Sequence, residues 1–290
     1  MNAAEKYSKM PENPLSWEQA VRWLLDQDEH RELSKACYYD SSAIVAARRY
    51  EQSEEWKSIR LLIPTVPGRA LDIGAGRGIA SYALAKAGWD VVAVEPDPSD
   101  LVGAGAIRSL SAEAPLQIQI VEQYGEKLPL DAESFDLVFA RQSLHHAHDL
   151  EALVKEAFRV LKPGGVFVAV REHVVNSEKD LPAFFDRHPL HHKYGGENAY
   201  RLSRYLSALR HAGLRPDGVW GPFDSPINYA PFTSQELQRE MQQRAHKVPV
   251  LGMLSGILNV NWIFRVVCRI ASRWDQSPGR LYSFCARKPL

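Results

Sequence analysis

Leu71-Asp-Ile-Gly-Ala-Gly-Arg-Gly78 decides the reading of this 290-residue chain. Arg69 to Ile73 is a short apolar run with strand character, and Ile79 to Ala87 has helical character. The glycines therefore lie at a strand-to-helix junction. Gly74 and Gly76 permit a tight turn there and let a ligand approach bare backbone. The helix that follows offers unpaired N–H groups at its first turn. In open α/β sheets, ligands lie at the carboxyl ends of the strands, near the point where strand order reverses.

Working outward, strand-like and helix-like segments alternate. Asp90 to Glu95 is the next strand, followed by a helix from about Pro98 to Leu110 and by strands at Leu116 to Val121 and Phe135 to Ala140. Leu150 to Leu161 reads as a helix, stopped by Lys162-Pro-Gly-Gly165 before the strand Val166 to Val170. Such alternation predicts a parallel sheet with helices on both faces. Upstream, Ser16 and Gln19 form a capping-box pattern ahead of Trp17, Val21, Leu24 and Leu25, and a second helix is expected from Ser42 to Leu62. Downstream, the rhythm loosens into a helix from Tyr200 to Ala212, a strand-like Val219 to Phe223, and a final strand, Leu281 to Ala286. The division expected is an N-terminal helical cover (1–66), an α/β core (67–224 and 280–290) and a helical insertion between the last two strands (225–279). No internal repeat stands out.

Composition narrows the function. Lys plus Arg and Asp plus Glu number 35 each, so no global field draws the chain to nucleic acid, and none is expected as a partner. Three cysteines, Cys37, Cys268 and Cys285, form no metal or redox spacing and suit reduced thiols. Met1 to Pro11 is polar, without an apolar export segment, and the uncharged run between Lys247 and Arg265 is too interrupted to span a membrane. A cytoplasmic protein is the expectation.

The chemistry of the glycine loop selects the ligand. Glu95, twenty-one residues beyond Gly74 at the end of the second strand, is placed to accept both hydroxyls of an adenosine ribose. The glycine spacing is G-x-G-x-G, whereas dinucleotide binders use G-x-G-x-x-G. Asp72 at the mouth of the loop repels a pyrophosphate but suits an ammonium group. A sulfonium cofactor with a methionine moiety fits better than a nicotinamide dinucleotide.

Asp72-Ile-Gly-Ala-Gly-Arg-Gly78 resembles the first motif of class I S-adenosylmethionine-dependent methyltransferases, and Val91 to Glu95 resembles their second-strand acidic position. Glu126-Lys-Leu-Pro-Leu130, Ser134-Phe-Asp-Leu-Val138 and Leu161-Lys-Pro-Gly-Gly165 are similar to their remaining core motifs, in order, over residues 69 to 171. The resemblance implies a doubly wound, Rossmann-like sheet of seven strands with the last antiparallel. It implies S-adenosyl-L-methionine as cofactor, met by Asp72, Gly74, Ala75, Gly76, Glu95, Pro96, Glu126, Arg141 and Gln142. Tyr124 stands where many members carry an aspartate for the adenine amino group, which leaves adenine to Tyr124 itself or to Gly125 and Glu126.

Methyl transfer needs alignment and, for weakly acidic nucleophiles, a base. Arg141-Gln-Ser-Leu-His-His146 and Arg171-Glu-His173 follow strands that end at the crevice. His173 is the expected base, its ordinary pKa being near ~6.5. His146 matches a position often held by His in the family, either structural or catalytic. His188-Pro-Leu-His-His-Lys-Tyr-Gly-Gly-Glu-Asn198 suits an acceptor lid, with His191, Tyr194 and Glu197 as contacts and Gly195 and Gly196 as hinge. Tyr39, between the two N-terminal helices, joins that set. The histidine spacings match no zinc pattern, so no metal is expected.

In the insertion, Asn261, Arg265, Arg269 and Arg273 recur every four residues, with Ile263, Phe264, Val266, Val267 and Ile270 covering much of the other face. Packing within the protein is expected, with a homodimer contact or a peripheral contact with anionic lipid as the alternatives. The sequence thus points to a methyltransferase of a small-molecule or lipid-linked acceptor, on oxygen. The alternatives are nitrogen or carbon methylation, or a non-catalytic cofactor-binding protein of the same fold.

Overall fold

A computed structural model describes residues 14–40, 42–194, 197–247 and 255–290. The readings made of residues 1–11, of Gly195 and Gly196, and of the stretch 248–254 within the insertion lie outside the described residues.

Five apolar runs form strands β1 (Arg69–Ile73), β2 (Asp90–Val94), β3 (Ile118–Val121), β4 (Phe135–Arg141) and β5 (Leu161–Val175). A two-residue strand β6 (Tyr200–Arg201) pairs with the far end of β5, and β7 (Arg215–Trp220) and β8 (Arg280–Arg287) complete the sheet. The main path is β3-β2-β1-β4-β5-β8-β7, the seven strands expected, with β6 beside it. The order reverses at β1, whose neighbours β2 and β4 are both parallel to it, while β8 runs antiparallel to β5 and β7. The crevice at the carboxyl ends of β1 and β4 is where such sheets bind ligands.

Alternation along the strands builds a core on each face. Leu71, Val138, Ala140, Phe167, Ala169 and Phe284 point to one side, against Leu153, Val154, Ala157 and Val160 of α7 (Leu150–Val160) and Tyr205, Ala208 and Leu209 of α10 (Leu202–His211). Leu137, Phe139, Val166, Val168 and Val170 point to the other, against α3 (Ala43–Gln52), α4 (Glu54–Ile59) and α5 (Ile79–Lys86). Each fully buried Leu, Val or Phe contributes roughly 1.5–3 kcal/mol. The segment before β1 is therefore largely part of the core. Among the described residues before β1, α1 (Trp17–Leu25) and α2 (Arg31–Ala36) are the ones that stand over the crevice as a cover.

Several boundaries differ from the sequence expectation, each for a local reason. The helix expected from Ser42 to Leu62 is two, because Ser53 adopts an extended conformation and its hydroxyl accepts the Trp56 N–H at 3.0 Å, starting a new helix. The helix after β2 is α6 (Ala104–Glu113), starting well after Pro98, since 98–103 turn back so that the Ala104 N–H reaches the Asp97 carbonyl. The strand expected at Val219 to Phe223 is β7, ending at Trp220 before Gly221-Pro222. Strand β5 continues past Val170 to Val175, because Glu172, His173 and Val174 pair with Tyr282, Leu281 and Arg280 of β8.

Strand β5 leads into α8 (Leu181–Phe185) and α9 (His191–Tyr194). The cover closes on this segment. Ala20, Val21 and Leu24 of α1 pack with Leu190, Val102, Tyr39 and Tyr194, and the Leu15 N–H donates to the Lys193 carbonyl at 2.9 Å. In the insertion, α11 (Pro226–Tyr229), α12 (Ser234–His246) and α13 (Asn261–Trp274) follow β7. Phe264 and Cys268 of α13 pack with Leu237 of α12, and Ser272 accepts the Phe223 N–H at 2.8 Å. Val266 and Ile270, expected on a covered face, are exposed together with Trp262 and Trp274. Among the described residues no helix is long and apolar enough to cross a membrane.

Candidate active site

A cavity of about 1950 Å³ opens at the carboxyl ends of β1, β2, β4 and β5, roofed by α1, α2 and α9. Every site residue expected from the sequence lines it. At one end lies the glycine loop. Gly74 and Gly76 have φ of 67° and 54°, in the left-handed region that favours glycine. A Cβ on Gly74 would lie 2.5 Å from the Ser143 Cβ, so that glycine is required by the close passage of the turn after β4. A Cβ on Gly76 would meet only the Val102 carbonyl oxygen, at 3.8 Å; this glycine faces open cavity.

Two acids frame the loop. Glu95 accepts the Gly76 N–H at 2.7 Å on Oε2 and the Asp97 N–H at 3.0 Å on Oε1. Each oxygen keeps a lone pair for a further donor, the arrangement a ribose diol needs. Burial pushes the Glu95 carboxyl up to about 7, against the lowering effect of those two N–H groups. Asp72 accepts the Ser81 hydroxyl at 2.6 Å and is likewise pushed up by burial, to about 6. Between them Arg77 donates to the carbonyls of Tyr38 and Asp40, both at 3.1 Å, tying the segment after α2 to the glycine loop. The open face at Gly76 and the Glu95 carboxylate together fit the adenosine of a nucleoside cofactor.

The expected cofactor contacts beyond the loop divide. Pro96 and Gln142 line the cavity, Gln142 with a φ of 52°. Arg141 has its guanidinium engaged by Glu55 at 2.7 and 3.2 Å and lies over the rings of Tyr38 and Tyr50. Its side chain therefore braces α4 against the sheet. Glu126 accepts the His148 N–H at 2.9 Å, and Tyr124 is 56% exposed, edge-on to His148.

The other end of the cavity gathers His145, His146, His173, His188 and His191 about Glu197, with Glu172 buried behind. Glu172, fully buried, accepts the N–H groups of Ser143 (3.1 Å), Leu144 (3.2 Å) and His145 (3.1 Å) and the His145 ring Nδ1–H (2.6 Å). That carboxylate fixes the turn after β4. Opposite lies Glu197, whose oxygens stand 3.2 Å from His145 Nε2, 3.8 Å from His191 Nε2 and 4.0 Å from His146 Nε2. Burial opposes the charge on His145, but Glu172 and Glu197 prevail and raise its pKa to about 10. Burial likewise opposes the charge on Glu197, and His146, His145 and His191 hold it well below the ordinary carboxylate range.

His173, the expected base, sits in this cluster with Nδ1 2.9 Å from the Gly279 carbonyl. A carbonyl only accepts, so the proton lies on Nδ1 and Nε2 carries the lone pair. Burial pushes the His173 pKa down to about 3, so the ring is a feeble proton acceptor at neutral pH. His146 is partly exposed within the cavity. Tyr194 stands edge-on to Trp17, ring centroids 4.9 Å apart, and Tyr39 edge-on at 6.4 Å, so both belong to the seam between cover and site.

Sequence reasoning missed Glu55, Arg77 and Glu172, and weighed His145 only among the histidines whose spacing matches no zinc pattern. His145 and Glu172 were adjacent to residues singled out, but only the turn after β4 and the length of β5 show which neighbour is buried. Backbone strain is a further signal: Tyr38, Gln142 and Arg171, all with φ between 52° and 61°, all line the cavity.

Residues 71–169 match the family described as a methyltransferase domain. The chain is 32% identical over 201 residues to the 27-O-demethylrifamycin SV methyltransferase of Amycolatopsis mediterranei, covering 68% of this chain and 71% of that one. It is 33% identical over 109 residues to a ubiquinone biosynthesis O-methyltransferase of Azorhizobium caulinodans, covering 38% and 42%. The chain spans about half the length, or less, of the first curated relatives it matches. Phosphoethanolamine N-methyltransferase 2 of Haemonchus contortus, solved with S-adenosyl-L-methionine, superimposes with a TM-score of 0.53 at 20% identity, over 97% of this chain and 62% of that one. At that identity the likeness is one of fold.

Proposed function

Because this chain belongs to the class I S-adenosylmethionine-dependent methyltransferase family, we propose that it moves a methyl group from S-adenosyl-L-methionine to an oxygen of a small or lipid-linked acceptor. The observation that carries this reading is one roofed cavity with a nucleoside-binding end, Gly74 to Gly76 and Glu95, and a histidine-rich end, His145, His146, His173 and His191. When bound, the cofactor supplies an electrophilic methyl group on a sulfonium. The protein's share is to bind, align and handle one proton.

Glu95 accepts the ribose hydroxyls, Asp72 faces the ammonium of the methionine moiety, and the bare backbone at Gly76 lets the nucleoside lie close. Tyr39, Tyr194 and His191 line the acceptor end under the cover. His146, partly exposed to the cavity with Glu197 behind it, takes the proton of the acceptor hydroxyl; His173, with Nδ1 tied to the Gly279 carbonyl, holds its neighbours in place. Oxygen is favoured because the relatives from Amycolatopsis and Azorhizobium carry O-methylation in their names.

Incubation with methyl-labelled cofactor and a metabolite extract tests the reading. Label should enter an acceptor through a C–O bond, and His146→Ala should lower turnover by roughly 10²-fold while sparing cofactor affinity. Label on nitrogen or carbon would refute the choice of atom. Cofactor binding without any transfer would make the protein a binding module.

A further inference from the structure

Three histidines reach the acceptor end of the cavity with Nδ1 already engaged. His145 Nδ1 lies 2.6 Å from Glu172, His173 Nδ1 2.9 Å from the Gly279 carbonyl, and His191 Nδ1 3.2 Å from the Phe184 carbonyl. Each ring is thereby fixed in orientation and left with Nε2 as its remaining ligating atom. A carboxylate or carbonyl behind the ring is the support that metal-ligating histidines commonly have.

The Nε2 atoms gather about one carboxylate. Glu197 is only 7% exposed, and its Oε1, although 3.2 Å from His145 Nε2, lacks hydrogen-bond geometry to it or to any other donor among the described residues. One ligating atom from each of His145, His173 and Glu197 lies within 4.8 Å of the other two. A tetrahedral ion with bonds near 2.1 Å needs its ligands about 3.4 Å apart, so a modest side-chain rotation closes the set. The charge is suited too. Glu172 and Glu197, both buried, flank the single ring of His145 and together offer a cation two carboxylates.

We propose that His145, His173 and Glu197 bind a divalent first-row transition ion, zinc or a neighbour in its series, with His191 beside it and an open coordination position facing the cavity. Imidazole ligands favour such ions over magnesium or calcium. The chain separations among these residues match no zinc spacing, which is why the sequence led to the expectation of no metal; the ligands come from the turn after β4, from β5 and from the segment after α9. The site itself rests on this geometry. The role of the open position, to hold an acceptor oxygen as a Lewis acid does, rests on the methyltransferase reading.

The test uses the full chain, stripped with a chelator and titrated with zinc by calorimetry, with cobalt as a spectroscopic substitute. One equivalent should bind, and cobalt should give the intense visible absorption of a four- or five-coordinate ion. Glu172→Gln, which removes support behind His145, should weaken zinc by roughly 10–100-fold. Glu197→Gln and His173→Ala should each weaken it further. Titration with S-adenosylhomocysteine checks the fold of each variant, and Glu197→Gln, nearly isosteric, serves if His173→Ala fails to fold. No zinc binding by the wild type, or equal zinc affinity in the wild type and Glu197→Gln, overturns the site. Because no step measures methyl transfer, an inactive protein that binds zinc would sink the functional reading and leave the site standing.

Discussion

Glu95 makes the cofactor assignment measurable through pH. Burial pushes its carboxyl up to about 7 in the ligand-free protein. Two ribose hydroxyls donating to it favour the charged form, so ligand lowers that pKa and binding releases a proton. The sign follows: affinity is full above pH 7 and is lost as pH falls through it. Between pH 8 and pH 6 the wild type should lose roughly tenfold in affinity for S-adenosylhomocysteine, since each unit below the free pKa costs about a factor of ten. Glu95→Ala should weaken binding at pH 8 by roughly 1.5–3 kcal/mol, the worth of hydrogen bonds to a charged group. It should also abolish the slope between pH 8 and pH 6, leaving only the fall below pH 6 that belongs to Asp72. Folding carries the same linkage. The folded pKa of Glu95 is raised, so stability present below its unfolded value near 4.5 is lost as pH rises through 7, by on the order of 3 kcal/mol. Calorimetric titration in buffers of different ionisation enthalpy reads affinity and proton release together. A wild type whose affinity and proton release are flat from pH 8 to pH 6, or an alanine variant that binds normally, would refute the assignment.

The two loop glycines should fail differently. Gly74→Ala drives a Cβ into Ser143 and should lower the melting temperature, whereas Gly76→Ala should cost only about 1–2 kcal/mol of left-handed strain and mainly abolish cofactor binding; thermal melts with and without S-adenosylhomocysteine separate the two, and equal melts would contradict the contrast. Tyr194→Ala removes the ring that joins Trp17 of α1 to the acceptor end. It should raise the acceptor KM or lower kcat with cofactor affinity nearly unchanged, and hydrogen exchange across 188–194 should slow when acceptor and cofactor product are both present; full protection by cofactor alone would make the cover a cofactor lid. On α13, Trp262 (67% exposed), Val266, Ile270 and Trp274 (78% exposed) form one uncovered apolar stripe beside Arg265, Arg269 and Arg273. Sedimentation with anionic vesicles should show salt-sensitive binding that a triple Arg→Glu variant loses, while a concentration-dependent mass without vesicle binding would assign the stripe to a homodimer.

The sheet was legible because its signals are local. A strand's apolar run, a glycine turn and a helix stripe each declare themselves within a few residues, and the order of motifs from Asp72 to Gly165 carried the topology. The glycine-loop end of the cavity was legible for the same reason: Asp72, Gly74, Gly76 and Glu95 lie on consecutive elements and meet there. The histidine end was only half legible. His146 and His173 were named, yet the buried partners are His145 and Glu172, because strand β5 continues through Arg171-Glu-His173 and its polar residues are satisfied by a turn that lies far away in sequence. Likewise nothing near Arg141 in the sequence announces that Glu55, 86 residues earlier, takes its guanidinium. Pairings at such separation leave no period or spacing to read.

Arg77 ties the two ends of the cavity to each other. It sits between Gly76 and Gly78, and its guanidinium holds the carbonyls of Tyr38 and Asp40, in the segment that leads from the cover to the core. Lifting the cover away from the histidine end therefore pulls on the glycine turn. The two ends of the cavity share a latch: one guanidinium joins the glycine turn to the roof over the histidines, so neither can shift far without the other.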